Sequence, residues 1–168
     1  TMMRFPLSGV ENAIGAQLLL DVSYFQAFMF IPSTEVYIWG ANNGCGAELF
    51  TESTARYNQF AVWANDKDGI LDTTGCIYDG DPATAGLQPL GTLKITAQDV
   101  NQTVTFSSRA LLEYLKADNN NNATIIITGK AISGAVKFAS KEHATLNPPR
   151  LSLVTKADTF VRINNEGP

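Results

Sequence analysis

Of the side chains able to do chemistry in this 168-residue chain, the single histidine is the first to weigh. His143 stands in the polar stretch ASKEHATLNPP beside Glu142, with neither a serine elbow nor a cysteine partner suggested around it. Nucleophilic catalysis needs a nucleophile within reach of a base, and acid–base catalysis needs a matched pair. Carboxylates are scattered through loop-like sequence and their separations are not legible, so a glycosidase-type pair gains no positive support. His143 reads as an exposed loop residue, and the chain as a non-enzyme.

The densest acidic stretch is ANDKDGILDTTG, with Asp66, Asp68 and Asp72 around Gly69. It looks like a calcium loop, but EF-hand spacing calls for an oxygen ligand two residues before Asp66, where Ala64 stands. Asp79 and Asp81 follow in DGDPA. The first reading is an ordinary acidic turn and no cofactor; a structural Ca²⁺ is the alternative. The two cysteines, Cys45 and Cys76, lie in Gly-rich polar stretches, NNGCGAE and TTGCIYDGD. An even count in extracellular-looking sequence favours a disulfide over two unrelated thiols. Such a bond would be worth on the order of 3 kcal/mol. Two sequons, at Asn101 and Asn122, fit the same compartment.

Three aromatics, Trp39, Trp63 and Tyr57, could stack on sugar rings. In a sandwich, tryptophan on a strand is more often core. The segment SYFQAFMFIPS is apolar on both faces, through Tyr24, Phe25, Phe28 and Phe30 with Met29 and Ile31. A strand with one solvated face alternates. This one is either buried on both sides or an apolar patch awaiting a partner.

The elements that must position these residues are mostly strands. Met3, Phe5 and Leu7 alternate with Arg4 and Pro6, and Leu18, Leu20 and Val22 share a face. TEVYIWGA, NQFAVWAND, GTLKITAQ, QTVTFSS, ATIIITGKA, GAVKFAS and RLSLVTK have strand length and β-branched or aromatic content. Clusters of Asn, Gly, Asp and Ser separate them, the run Asn119 to Asn122 included. One stretch, SSRALLEYLKADN, has helical spacing in Ala110, Leu111, Tyr114 and Leu115 behind Ser107 or Ser108 as N-cap. The pattern predicts an all-β, antiparallel, jelly-roll-like β-sandwich with one short helix near residues 108–117.

Composition excludes several partners. Twelve basic against sixteen acidic residues give a net charge of -4 and no Lys/Arg cluster to neutralise phosphates, which argues against nucleic acid and a polybasic membrane contact. The apolar runs are strand-length, far short of a transmembrane span.

At this point the residues resemble a known family. MMRFPLSGVENAIGAQLLLDV is similar to the YLRFDLS…ATLRL block of DNRLRE-type domains, which overlap carbohydrate-binding module family 96. FAVWAND sits where that family has a Trp–Asn segment, and GAVKFASKEHATLNPPRLSLVTK is similar to its closing strand pair with PPRL. The DNRLRE hexapeptide itself is absent, and no individual binding residue carries over. The resemblance implies an extracellular β-sandwich module, of a kind attached to polysaccharide-active enzymes or repeated in surface proteins.

It also implies an opening strand of the type ADTFVR. Here that strand type lies at residues 157–163, while the chain begins inside a later one. The expectation is a sandwich domain over residues 1–156 and a strand extension over 157–168. The extension fills an open slot in its own domain or, the preferred reading, in a neighbouring subunit. A chain that is one unit of a tandem array is a third reading. Thr159, Val161 and Ile163 share one face of the tail and Phe160 the other. Val161 and Ile163 are expected inward, because Asp158 and Arg162 flank Phe160. Two functions follow: a self-assembling structural subunit polymerising head-to-tail, or a non-catalytic carbohydrate-binding module whose partner is a polysaccharide. Both place the chain outside the cell or on its surface.

Overall fold

The computed structural model describes residues 2–27, 32–43, 87–129 and 134–156. The described part is an antiparallel β-sandwich with one α-helix. Its strands are β1 (Met2–Pro6), β2 (Ala13–Ala27), β3 (Ser33–Ala41), β4 (Leu87–Thr96), β5 (Thr103–Phe106), β6 (Asn122–Gly129), β7 (Gly134–Phe138) and β8 (Arg150–Thr155); the helix is α1 (Arg109–Ala117).

Sheet one has the order β1-β6-β3-β4, and sheet two is built around the long β2, flanked by β5, β7 and β8. Leu18 is registered with both Phe106 of β5 and Leu151 of β8, so these strands lie on opposite edges of β2. β7 joins the β8 edge further along. Adjacent residues of β2 present their backbone groups to opposite sides; Asp21 O accepts from Ala139 N at 2.8 Å, whereas Val22 O accepts from Asn101 N at 2.8 Å. The chain crosses between the sheets after β1, β2, β4, β5 and β6, the alternation of a jelly-roll-like sandwich.

Alternation decides which side chains fill the space between the sheets. Leu18, Leu20 and Val22 are fully buried from sheet two; Val36, Ile38, Ile95 and Ile125 meet them from sheet one. β6 breaks the one-face rule. Its run from Ala123 to Ile127 is buried on both faces, with Ile126 in a second, small cluster beside Ala41 and Leu87. Such a strand reads as a continuous apolar run, as TIII does here.

The helix starts where the sequence places it. Ser108 is the N-cap: its Oγ accepts from Leu111 N at 3.0 Å and donates to Leu90 O at 2.8 Å. Ser107, the other candidate, instead donates to Ala16 O at 2.9 Å, anchoring the helix entrance to β2. Leu111, Tyr114 and Leu115 form the buried face against β2 and β4. β4 begins earlier than the strand expected from GTLKITAQ, which starts at Gly91, and so takes in Pro89 as well. A bulge between Ile38 and Trp39 and a φ of 145° at Gly91 accommodate the two residues.

Candidate functional site

Trp39 lies on the face of sheet one that points away from the other sheet. Its neighbours along β3, Ile38 and Gly40, are turned inward, whereas Trp39 packs half-buried against the Ala41, Leu87 and Ile126 cluster. Its indole N–H donates to Thr128 Oγ1 at 2.9 Å, and the Tyr37 ring stands 6.3 Å away, tilted by 33°. Two aromatic rings are thereby held on one face of β3, the face turned from the other sheet. Trp63 and Tyr57 lie outside the described residues.

The described half of SYFQAFMFIPS separates by face. Phe25 turns inward and packs on the core, while Tyr24 is exposed, with Lys137 Nζ 5.2 Å from its ring centre and its hydroxyl donating to Gln26. Phe28 and Phe30 lie outside the described residues, as do Cys45, Cys76, Asp66, Asp68, Asp72 and the tail with Thr159, Phe160, Val161 and Ile163. Among the described residues no three metal-ligating side chains come together.

The two sequons differ. Asn101 is exposed in a turn at φ 62°, and Asn122 is the half-buried first residue of β6, its Nδ2 donating to Asn120 O at 3.0 Å. His143 is exposed, and its Nδ1 accepts the backbone N–H groups of Thr145 and Leu146 at 3.3 and 3.1 Å. The imidazole thus closes a turn of the loop from β7 to β8. A cavity of about 480 Å³ at one end of the sandwich is lined by Glu11, Asn12, Ile14, Lys116, Lys156 and neighbours.

The most polar buried group is one that sequence reasoning does not single out. Asp21 interrupts the apolar run LLLDV and is 4% exposed. Its Oδ1 accepts from Thr103 Oγ1 at 2.6 Å and from Arg150 Nη2 at 3.0 Å; its Oδ2 accepts from Asn147 N at 2.9 Å and Asn147 Nδ2 at 3.0 Å. The Thr103 hydroxyl, then Asn147 and the Arg150 charge, hold its carboxyl below the usual carboxylate value against the opposing effect of burial. Asp21 sits where β5, β7 and β8 all meet β2, and it ties the PPR segment to the sheet. A charged residue alone in a strand's apolar run is the signal that could find it. The bonds join β2 to β5 and to the segment leading into β8, so the cluster clamps these parts of the fold together.

The second feature missed by sequence is Tyr114. Its hydroxyl lies within 2.9 Å of the Ala41 and Thr124 carbonyl oxygens and accepts from Thr124 N at 3.2 Å. It continues the ladder between β3 and β6 past its last registered pair, Gly40 and Ile125.

No family model matches the chain, and no curated protein matches it. Among solved structures it is similar to two of a recombinantly expressed latent aurone synthase (polyphenol oxidase), one of them co-crystallised with hexatungstotellurate(VI) and soaked in H₂O₂. The identities are 12% and 11%, with a TM-score of 0.41 in both. Each likeness covers 92% of this chain and 24% of the other, so the chain spans about a quarter of the length of those proteins. At that level neither fold nor activity is carried across.

Proposed function

We propose that the chain is a non-catalytic, extracellular structural module that assembles head-to-tail by exchange of its C-terminal strand. The contrast between the two edges of sheet one carries this reading. β4 closes one edge with a bulge, Pro89, Gly91 and an exposed Lys94, features that discourage a further strand. β1 forms the other. It pairs with β6 in unbroken register from Met2↔Ile126 to Pro6↔Asn122, and among the described residues β6 is its one strand partner.

Met3 and Phe5 face the core from β1, so an added strand would lay its own inward residues along an apolar margin. On this proposal Val161 and Ile163 of the tail, which share a face in an extended segment, are those residues. The tail follows β8, which ends with Thr155 beside Ala13. Edge pairing between chains is a recurrent mode of recognition, and a contact between unlike surfaces propagates. The resemblance of the sequence to DNRLRE-type modules supports an extracellular place.

The test is deletion of residues 157–168, read by sedimentation velocity and negative-stain microscopy. The full chain is expected to form filaments, and the truncated chain to be an aggregation-prone monomer that a synthetic 157–168 peptide rescues. A truncated chain that stays a stable monomer without peptide, or assembles as before, overturns the reading.

A second reading is favoured by the outward position of Trp39 beside Tyr37, since the bland expectation for a strand tryptophan is the core. On this reading the pair is a platform for a polysaccharide. Affinity electrophoresis through gels carrying soluble polysaccharides would show retardation that Trp39→Ala and Tyr37→Ala each abolish. Equal mobility of folded variants and parent in every gel removes this reading.

A further inference from the structure

We propose that Asn101 is an N-glycan acceptor of this protein and that Asn122, which begins the second sequon, is not. The inference rests on the extracellular part of the reading above, and it distinguishes two tripeptides that sequence treats as equal.

Asn101 stands between a 3-10 turn (Ala97–Asp99) and β5. Backbone bonds fix this turn: Asn101 N donates to Val22 O, Gln102 N to Asp99 O at 3.0 Å, and Val22 N to Gln102 O at 3.0 Å. The capping box between Thr96 and Asp99 secures its start. None of these bonds uses the Asn101 carboxamide. The residue is exposed, and the left-handed backbone that asparagine tolerates is what this turn needs. Thr103, the sequon's third residue, is exposed as a residue, with its hydroxyl donated to Asp21 Oδ1 at 2.6 Å. A glycan here would extend from a rigid turn without displacing a packed group.

Asn122 offers the opposite. Its backbone N–H donates to Asn120 Oδ1 at 3.0 Å while its Nδ2 is engaged by Asn120 O, so the amide that would carry the sugar helps to close the Asn-rich loop. It is registered against Pro6. Thr124, two residues on, is completely buried, and its backbone N–H reaches the Tyr114 hydroxyl. The difference lies at the acceptor itself: the Asn122 carboxamide is half-buried and bonded within the fold, whereas that of Asn101 is exposed. A glycan attached to the nascent chain would have to be accommodated at the closed start of β6, so chains carrying it are expected to be lost from the folded, secreted fraction.

A glycan on Asn101 also has a consequence for assembly. It belongs to sheet two, where β5 begins beside Asp21 midway along β2, and so lies away from β1, an edge strand of sheet one among the described residues.

The full chain would be expressed behind a secretion signal in a eukaryotic cell line. The secreted protein would be deglycosylated enzymatically in heavy-oxygen water and mapped by mass spectrometry. Asn101 should carry the label and Asn122 should not; Asn101→Gln should lose the gel shift entirely, and Asn122→Gln should keep it. An unmodified Asn101, or occupancy at Asn122 in the secreted protein, overturns the proposal. The tail deletion, made in unglycosylated protein from bacteria, reads the assembly proposal separately.

Discussion

Replacing Asp21 by Ala is expected to lower the stability of the folded chain by about 3 kcal/mol. For a chain of this size that is a fall in Tm of about 6–12 °C. The loss has identifiable parts. Asn147 loses the acceptor of both its backbone and side-chain N–H groups, and Thr103 loses the acceptor of its 2.6 Å bond. Arg150 is 43% exposed and can turn to water, so its share is the smallest. The loop from β7 to β8 would keep the turn closed by His143 and lose its hold on β2. Faster amide exchange should therefore appear at Asn147 before it appears in the core strands.

The same carboxylate sets a pH dependence with a definite sign. Its folded value is lowered, so its contribution is fully present above the unfolded value of about 3.9 and is lost as pH falls through the lower, folded one. Asp21→Asn presents an amide where two N–H donors converge, and should be well below the parent in stability at neutral pH. Below about pH 4 the carboxylate of the unfolded parent takes up its proton while the folded one stays ionised, and the gap narrows until the folded one is protonated too. Thermal unfolding of both proteins at neutral and acid pH measures this. A gap that stays constant across the range would mean that the charge contributes nothing and only the shape matters.

Alternation in the sequence makes most of the strands legible. It assigns Met3, Leu18, Leu20 and Val22 to inward faces, and all four are buried. The helix is legible because one segment changes period from two to 3.6 and carries a serine cap. The start of β4, ahead of GTLKITAQ, is not, because Pro89 is a turn residue by local preference and only the bulge opposite Trp39 makes it tolerable in a strand. Trp39 departs from its expected core position for a different reason. Its period places it opposite Ile38, but β-propensity is silent on which face of a sheet meets the other sheet. Asp21 and Tyr114 escape a sequence reading because their partners are remote along the chain. Asn147 lies 126 residues from Asp21, and Ala41 lies 73 from Tyr114. No local pattern encodes such a pair. A lone charge or hydroxyl on a buried face says that a partner exists and leaves open where.

Gly40→Ala is the second large effect, at about 3 kcal/mol. A Cβ built on Gly40 would stand 2.6–2.7 Å from Cε2, Cδ2 and Cζ of Tyr114, closer than real Cβ atoms approach. The strand has no freedom to retreat, because Gly40 is registered on one side with Ile125 and on the other with Gln88. The ring must move instead. It is buried, and its hydroxyl is bonded at once to β3 and β6, so moving it breaks the contacts that finish the ladder between them. Removing the hydroxyl alone, in Tyr114→Phe, should cost about 1–3 kcal/mol, because Thr124 N–H loses that acceptor in a dry site. The two substitutions should then be strongly non-additive. Once Gly40→Ala has displaced the ring, the hydroxyl has little left to lose, so the double variant should be nearer the worse single variant than the sum. Denaturant unfolding of the four proteins yields the coupling directly. Independent, additive costs would mean that ring and glycine do not share one contact, and that some other part of β3 requires the missing side chain.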